Sequence, residues 1–205
     1  MTGMPTASPL MVVAMMVAMM LPSIAPTLWR YYRARAATRA PRALEWTMLA
    51  GTGYVGVWTL ISLTLCALAA TLPTSGMASA MDTPLAPWAA GAIVFCAGAL
   101  QRTRWKARHL ARCRDALATT GAVPGSIVSA WLDGVRLGLQ CGMSCAAPTA
   151  VLFAAGMMEP RAMAVITTAI TAERLAPAGA RIARLTGALA IGVGLIICAR
   201  AVTHA

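Results

Sequence analysis

Five methionines crowd one apolar stretch near the start of the chain, where their sulfur atoms could bind a soft metal ion. They are Met11, Met15, Met16, Met19 and Met20. On a helix, Met15 and Met19 lie one turn apart, and so do Met16 and Met20. A thioether is a soft, neutral ligand that suits Cu(I) and not Zn(II), Mg(II) or Ca(II). Core packing is the competing interpretation, because methionine fills gaps in any helical bundle.

A second soft set is formed by Cys141, Met143 and Cys145, which follow one another at every second residue. On a helix, Cys141 and Cys145 share one face. Thiolate and thioether together again favour Cu(I). The alternative is a pair of buried, inert cysteines. A disulfide between the two would be strained, because both face the same way from one helix.

Three further residues are candidates for metal binding. His109 and Cys113 lie one helical turn apart in a basic segment and could chelate a metal from one face. Neighbouring cations are expected to lower the pKa of Cys113. A solvated surface histidine is the alternative. Glu173 is an acid within an apolar run, where acids are usually functional. The alternative is a pair with Arg174 that snorkels to the membrane surface.

The composition indicates the elements that position these residues. The chain has 205 residues, of which 59% are hydrophobic and 11% are charged, and its mean hydropathy is +0.71. Soluble domains have about 25% charged residues, so this composition predicts an integral membrane protein with one domain over residues 1–205. The net charge of +11 does not indicate nucleic acid binding, because the basic residues lie in short segments between apolar runs. The six cysteines form no secreted-type disulfide framework.

The sequence predicts an all-α, polytopic membrane bundle, because a run of about 20 apolar residues crosses a bilayer. The six predicted spans are residues 8–29, 44–72, 88–100, 138–158, 162–176 and 185–199. Residues 102–114 have the spacing of a basic amphipathic helix on the cytoplasmic face, and residues 125–138 are predicted to be a short interfacial lead-in. Pro22, Pro26 and Pro148 are expected to break helices beside the candidate ligands.

The basic residues also predict the orientation. With the N-terminus outside, fifteen basic residues lie in inner segments and only Arg161 and Arg200 lie in outer ones. Positively charged residues collect on the inner side, so both termini are expected outside a bacterial cytoplasmic membrane. The first apolar run has a basic flank after it and none before it, and it is therefore expected to be a retained span.

Four stretches together resemble a bacterial family of predicted metal-binding integral membrane proteins, some of whose members are described as copper chaperones. The resemblance runs along most of the chain. The four stretches are Met15-Met-Val-Ala-Met-Met-Leu-Pro-Ser23 with Pro26 after it, Lys106-Ala-Arg-His-Leu-Ala-Arg-Cys-Arg114, Gly134-Val-Arg-Leu-Gly-Leu-Gln-Cys-Gly-Met-Ser-Cys145 and Glu173-Arg-Leu-Ala-Pro177.

This chain departs from the family pattern at several ligand positions. His109 stands where the family usually has a cysteine, and Cys141 stands where it usually has a histidine. Pro148 and Thr149 occupy the place of further cysteines. The resemblance therefore implies a copper site with fewer thiols and a greater contribution from methionine.

The residues and the resemblance together predict a membrane Cu(I)-binding protein that handles or transports copper and is not an enzyme, since no enzyme motif is present. The predicted partners are the bilayer, copper, and a soluble copper-carrying protein or a larger membrane complex; a homo-oligomer is compatible, and nucleic acid is not expected. Three alternatives stay open: an accessory subunit of a membrane copper enzyme, a thiol–disulfide protein, and a structural bundle without metal. The predicted ligands are Met15, Met16, Met19, Met20, His109, Cys113, Cys141, Met143, Cys145 and Glu173.

Overall fold

The computed structural model describes residues 9–37, 42–71, 85–115, 126–155 and 160–203. Within these ranges the chain forms seven helices and no strand, which confirms the all-α prediction. The helices are α1 (Pro9–Ala37), α2 (Ala43–Thr71), α3 (Leu85–Gln101), α4 (Arg104–Asp115), α5 (Ile127–Ala155), α6 (Pro160–Leu175) and α7 (Gly179–Thr203).

Three of the described helices are long and apolar enough to cross a membrane: α1, α2 over Ala43–Ala67, and α7. They contain 25–29 residues each, and so extend about 38–44 Å at 1.5 Å per residue. The hydrocarbon core of a bilayer is about 30 Å thick. Large apolar side chains such as Leu60 and Leu189 are 66% and 70% exposed, as expected of surfaces that face lipid. The prediction of six crossings stays a prediction.

The fourth predicted span and its lead-in lie on one helix. The sequence predicts a short interfacial lead-in over residues 125–138 and a crossing over residues 138–158, and α5 runs without interruption from Ile127 to Ala155. The division into a lead-in and a crossing stays a prediction. The glycines in this stretch serve close packing and do not end the helix. A Cβ atom on Gly138 would lie 2.8 Å from the Cβ of Val57 on α2. Only a glycine lets the two helices approach this closely.

The expectation that prolines break the helices is wrong. Pro22 and Pro26 lie inside α1, and Pro148 lies inside α5, and both helices continue past them. Each proline removes one backbone N–H donor from the helix. Membrane helices tolerate this loss where neighbouring groups satisfy the freed carbonyl. Pro160 is the first residue of α6, a position at which proline costs the helix no hydrogen bond.

The described helices cluster into two compact units. The first unit contains α1, α2 and the part of α5 up to Leu139, and the second contains α3, α4, the rest of α5 from Gln140, α6 and α7. In the first unit, Met16, Met20 and Trp58 are among the largest fully buried side chains. The single-domain expectation for residues 1–205 stays a prediction.

In the second unit, α3 and α7 meet at four glycines. Gly91 and Gly98 on α3, like Gly187 and Gly194 on α7, are seven residues apart, so each pair lies on one helix face. A Cβ atom on Gly98 would lie 2.7 Å from the carbonyl oxygen of Gly187. A Cβ atom on Gly194 would lie 2.7 Å from the backbone nitrogen of Phe95. The two backbones therefore approach as closely as small residues allow in membrane helices.

Replacing Gly194 with alanine is expected to destabilise the second unit by about 1–3 kcal/mol, because the added methyl group must push α3 away. Gly192 provides a matched control on the same helix, since a Cβ atom there would meet nothing within 4 Å. Alanine favours a helix over glycine by about 0.5–1 kcal/mol, so Gly192→Ala should leave the melting temperature unchanged or slightly raised. The melting temperatures of the two variants are measured in detergent by circular dichroism. Equal melting temperatures for the two variants would contradict the close contact.

Candidate metal centre

Two thiols accept hydrogen bonds from the guanidinium group of Arg174 in the second unit, and a third thiol lies beside one of them. Cys113 comes from α4, Cys141 and Cys145 come from α5, and Arg174 comes from α6. Nη1 of Arg174 donates a hydrogen bond to Sγ of Cys141, and Nη2 donates one to Sγ of Cys113, both at 3.1 Å. All four side chains are buried. The cluster therefore brings together soft sulfur ligands from two helices and one cation from a third.

The two cysteines of α5 lie on one face, as their spacing predicts. Their Sγ atoms are 3.8 Å apart. A metal–sulfur bond of about 2.3 Å places two thiolates of one ion about 3.8–4.0 Å apart. The Ser144 hydroxyl, which lies between the two cysteines in sequence, donates to the carbonyl oxygen of Cys141 at 2.9 Å. The Cys141 and Cys145 sulfurs thus lie at contact distance, which is also compatible with two thiolate ligands of one ion.

Burial raises the pKa of the Cys113 thiol above its ordinary value, and the positive charge of Arg174 acts in the opposite direction. Desolvation is the larger of the two effects. The expectation that neighbouring cations give Cys113 a lowered pKa is therefore wrong in its net direction. The sequence indicates the cations around this residue, but it does not indicate that the side chain lies within the protein, 3% exposed.

A second buried network surrounds Glu173, the neighbour of Arg174 on α6. Its Oε2 atom pairs with Nζ of Lys106 at 2.8 Å. Its Oε1 atom accepts hydrogen bonds from Nε2 of Gln101 at 2.6 Å and from Oγ1 of Thr186 at 2.8 Å. Glu173 is 1% exposed and Lys106 is 2% exposed. The snorkelling alternative for Glu173 is therefore wrong, and both of its carboxylate oxygens have partners within the protein.

Lys106 connects the two networks. Besides its ion pair with Glu173, its ammonium group donates to the backbone carbonyl of Ser144, between the two cysteines of α5. No group of three or more His, Cys, Asp or Glu side chains that could hold a metal ion is found among the described residues. The hydrogen bonds of Arg174 occupy sulfur lone pairs on Cys113 and Cys141. Each of these sulfurs keeps further lone pairs, so it could bind a metal ion while it still accepts the hydrogen bond from Arg174.

The other predicted ligands have mixed surroundings. His109 on α4 packs against Trp105 with ring centroids 4.4 Å apart, and its buried Nδ1 atom has no hydrogen-bond partner within the described chain. Met143 on α5 is 40% exposed. The methionines of α1 belong to the first unit, in which Met16, Met19 and Met20 are buried and Met15 is half-buried.

Several polar residues of the second unit were missed as members of the site by sequence reasoning. Lys106 could have been singled out from the sequence, because it is the only lysine among 17 basic residues and lies in a segment otherwise rich in arginine. Nothing in the sequence distinguishes Gln101 and Thr186, because single polar residues at the ends of apolar runs are common. Arg174 was considered only as a surface partner of Glu173, whereas its two sulfur contacts depend on how α4, α5 and α6 pack.

The first unit contains a polar cluster that was also missed. Arg35 on α1 is 3.9 Å from a carboxylate oxygen of Asp133 on α5. The same oxygen accepts a hydrogen bond from the Tyr31 hydroxyl at 3.4 Å, and the Arg35 guanidinium lies 4.2 Å from the centre of the Tyr31 ring. Arg35 is 3% exposed, so this arginine supports packing within the unit.

Replacing Glu173 with glutamine is expected to destabilise the protein by about 3–5 kcal/mol, because it leaves the Lys106 ammonium buried without its carboxylate. The double variant Glu173→Gln/Lys106→Met should recover most of the loss, because it removes both buried charges. Glu45 provides a matched control, since its ion pair with Arg42 at 3.6 Å is exposed. Glu45→Gln should leave the melting temperature unchanged. Equal melting temperatures for the Glu173→Gln variant and the wild type would show that the buried ion pair is not present.

Most of the chain, including the residues described above, matches the model of a known protein family. A family model, PpoB2, described as a copper chaperone, matches residues 10–197. This range includes all the predicted ligands and both buried networks of the second unit. Comparisons with curated proteins and with solved structures find no match. The family match confirms the membership expected from the four sequence stretches, and the chain therefore belongs to the PpoB2 family of copper chaperones.

Proposed function

We propose that this chain binds Cu(I) through Cys113, Cys141 and Cys145 and passes it on within or across the membrane. The observation that carries the proposal is the buried thiol cluster, in which the Sγ atoms of Cys141 and Cys145 are 3.8 Å apart. Thiolates are soft ligands that select Cu(I). Membership of a copper chaperone family supports a copper-related role. In this proposal the protein is a carrier of copper and not an enzyme.

Arg174 balances charge in the proposed site. Two thiolates that hold one Cu(I) ion leave one net negative charge, and a buried charge without a partner is costly. The guanidinium of Arg174 is within hydrogen-bond distance of Cys141 and supplies the compensating positive charge. It also holds Cys113, the third sulfur, close to the pair.

This arrangement supports a simple order of events for copper. The ion first binds the Cys141–Cys145 pair, whose separation already suits it. Cys113 then joins as the third ligand, while its hydrogen bond from Arg174 keeps the sulfur beside the pair. Exchange between two and three sulfur ligands keeps each state weak enough for release, as transfer of an ion requires.

The methionines of α1 supply a second, weaker copper site in this proposal. Met16 and Met20 are 1% exposed on a helix that is long and apolar enough to cross a membrane. Their neutral sulfur atoms bind a soft cation without placing a negative charge in the apolar unit. We further propose six crossings of the bacterial cytoplasmic membrane with both termini outside, and a soluble copper-carrying protein or larger membrane complex as exchange partner.

Bound copper tests the thiol site. The full-length protein, purified in mild detergent and loaded with copper under reducing conditions, is expected to retain close to one equivalent by elemental mass spectrometry. The Cys141→Ser/Cys145→Ser variant should lose most of it, because a hydroxyl is a poor ligand for Cu(I).

The control for this experiment removes the same number of thiols elsewhere. Cys66 is half-buried on α2 and Cys96 is exposed on α3, and both are free thiols. Cys66→Ser/Cys96→Ser should bind as much copper as the wild type. Undiminished copper in the Cys141→Ser/Cys145→Ser variant would reject the proposed site.

The role of Arg174 is tested by changing its charge and its shape separately. Arg174→Met is expected to weaken Cu(I) binding roughly tenfold or more, because it removes two charge-assisted hydrogen bonds to sulfur. Arg174→Lys keeps the charge but loses the two-pronged geometry, so its affinity should be intermediate. Arg181→Met, at an exposed position on α7, is the control. A competition titration measures the affinities, and equal values for Arg174→Met and Arg181→Met would exclude the proposed role.

Thiol–disulfide exchange is the second candidate function, favoured by the 3.8 Å separation of the Cys141 and Cys145 sulfurs. In this case Cys141 would attack the disulfide of a substrate, and Cys145 would then displace the substrate thiol and leave an intramolecular disulfide. The Cys145→Ser variant should then accumulate a mixed disulfide that non-reducing gels reveal. Copper binding without such an adduct favours the first proposal.

A further inference from the structure

A small cavity of about 170 Å³ lies in the second unit where α3, α4 and α7 meet. Gln101 and Lys106 form its buried part, and Arg102, Arg104 and Arg184 line it with exposed side chains. We propose that this cavity binds a phosphate group, either the phosphodiester of an anionic phospholipid or free phosphate. The proposal does not depend on copper binding, because none of the cysteines lines the cavity.

The charge of the cavity is strongly positive. None of its lining residues is an acid. Arg102, Arg104 and Arg184 form no ion pair with any residue in the described ranges, whereas the charge of Lys106 is balanced by Glu173. Three guanidinium groups thus share one cavity without a carboxylate to balance them. Arginine is suited to phosphate, because its planar group donates two parallel hydrogen bonds to two phosphate oxygens.

Two helix starts add to this positive potential. The 12-residue helix α4 begins at Arg104, and α7 begins at Gly179. Residues of the first turn of each helix, Lys106 and Ala180 among them, line the cavity. A helix N-terminus carries about half a positive charge and usually attracts an acidic side chain, but neither first turn contains one. An arginine at the start of α4 is unfavourable there unless an anion binds nearby.

Gln101 adds an unsatisfied acceptor to the buried part of the cavity. It is 4% exposed, and its Nε2 atom donates to Glu173 and to Thr186. Its buried Oε1 atom has no hydrogen-bond partner in the described part of the chain. A buried acceptor without a donor costs free energy, and a hydroxyl group on the ligand would remove this cost if the amide of Gln101 turned toward the cavity. Protonated phosphate and a glycerol headgroup both carry such a hydroxyl.

The position of the cavity along the helices suits a lipid headgroup. The apolar run of α3 ends at Gln101, and the exposed apolar surface of α7 begins just after Arg184, at Leu185, which is 65% exposed. The three arginines therefore lie at the polar ends of two apolar helices. Lipid phosphates occupy this level in a bilayer, where basic residues between membrane helices bind anionic headgroups.

The experiment compares two triple variants of the full-length protein in nanodiscs. Arg102→Gln/Arg104→Gln/Arg184→Gln removes the three cavity charges. Arg108→Gln/Arg112→Gln/Arg181→Gln removes three exposed charges from α4 and α7 that do not line the cavity. Native mass spectrometry measures retained lipid in nanodiscs of phosphatidylcholine with and without phosphatidylglycerol, and a separate titration measures inorganic phosphate binding in detergent. Circular dichroism and the melting temperature check that both variants fold.

The wild type and the second variant are expected to retain phosphatidylglycerol. The Arg102→Gln/Arg104→Gln/Arg184→Gln variant should bind this lipid with an affinity that is lower by roughly tenfold or more. Selective loss of inorganic phosphate instead of lipid would also support the cavity and would identify free phosphate as the ligand. Equal loss in the two variants would show general attraction of anions to a basic surface and would overturn the proposal. Failure of the wild type to bind either phosphate source would overturn it as well.

Discussion

The buried ion pair of Glu173 with Lys106 constrains how the helices of the second unit can pack. Separating a buried carboxylate from its ammonium partner costs free energy, so the two helices that carry them must stay in contact. Lys106 comes from the helix that carries Cys113, and its second contact is the Ser144 carbonyl on the helix that carries Cys141 and Cys145. The ion pair and this hydrogen bond therefore link α4, α5 and α6, the helices that carry the three thiols and Arg174.

Adjacent residues of α6 serve two different chemical surroundings. Successive residues of a helix project about 100° apart, so Glu173 and Arg174 contact different neighbours. Glu173 accepts hydrogen bonds from amide, hydroxyl and ammonium groups, whereas Arg174 donates to sulfur. Oxygen and nitrogen groups thus contact one residue of α6 and sulfur groups contact the next, although one peptide bond links the two residues and Lys106 connects the two networks.

The sequence predicted the parts of the structure that depend on local pattern. A described helix covers most of each of the six apolar runs, and the four-residue spacing of Cys141 and Cys145 correctly predicts that their sulfurs lie together. It failed where one helix contacts another. Gly138 looked like the end of an interfacial segment, but its role is set by Val57 on α2. The cations near Cys113 predicted a lowered pKa, but burial between helices raises the pKa of this thiol. The partners of Arg174 come from segments 33 and 61 residues away, and local pattern does not predict such contacts.

The burial of Lys106 has a consequence for chemical labelling of the protein. It is the only lysine side chain in the sequence and is 2% exposed. Amine-directed acylating reagents and cross-linkers therefore find no accessible lysine while the second unit stays closed. Modification of Lys106 requires α4 to separate from α6, so the rate of its acylation reports directly on opening of the region beside the thiols. Acylation of Lys106 would therefore measure how often the helices beside the candidate metal centre separate.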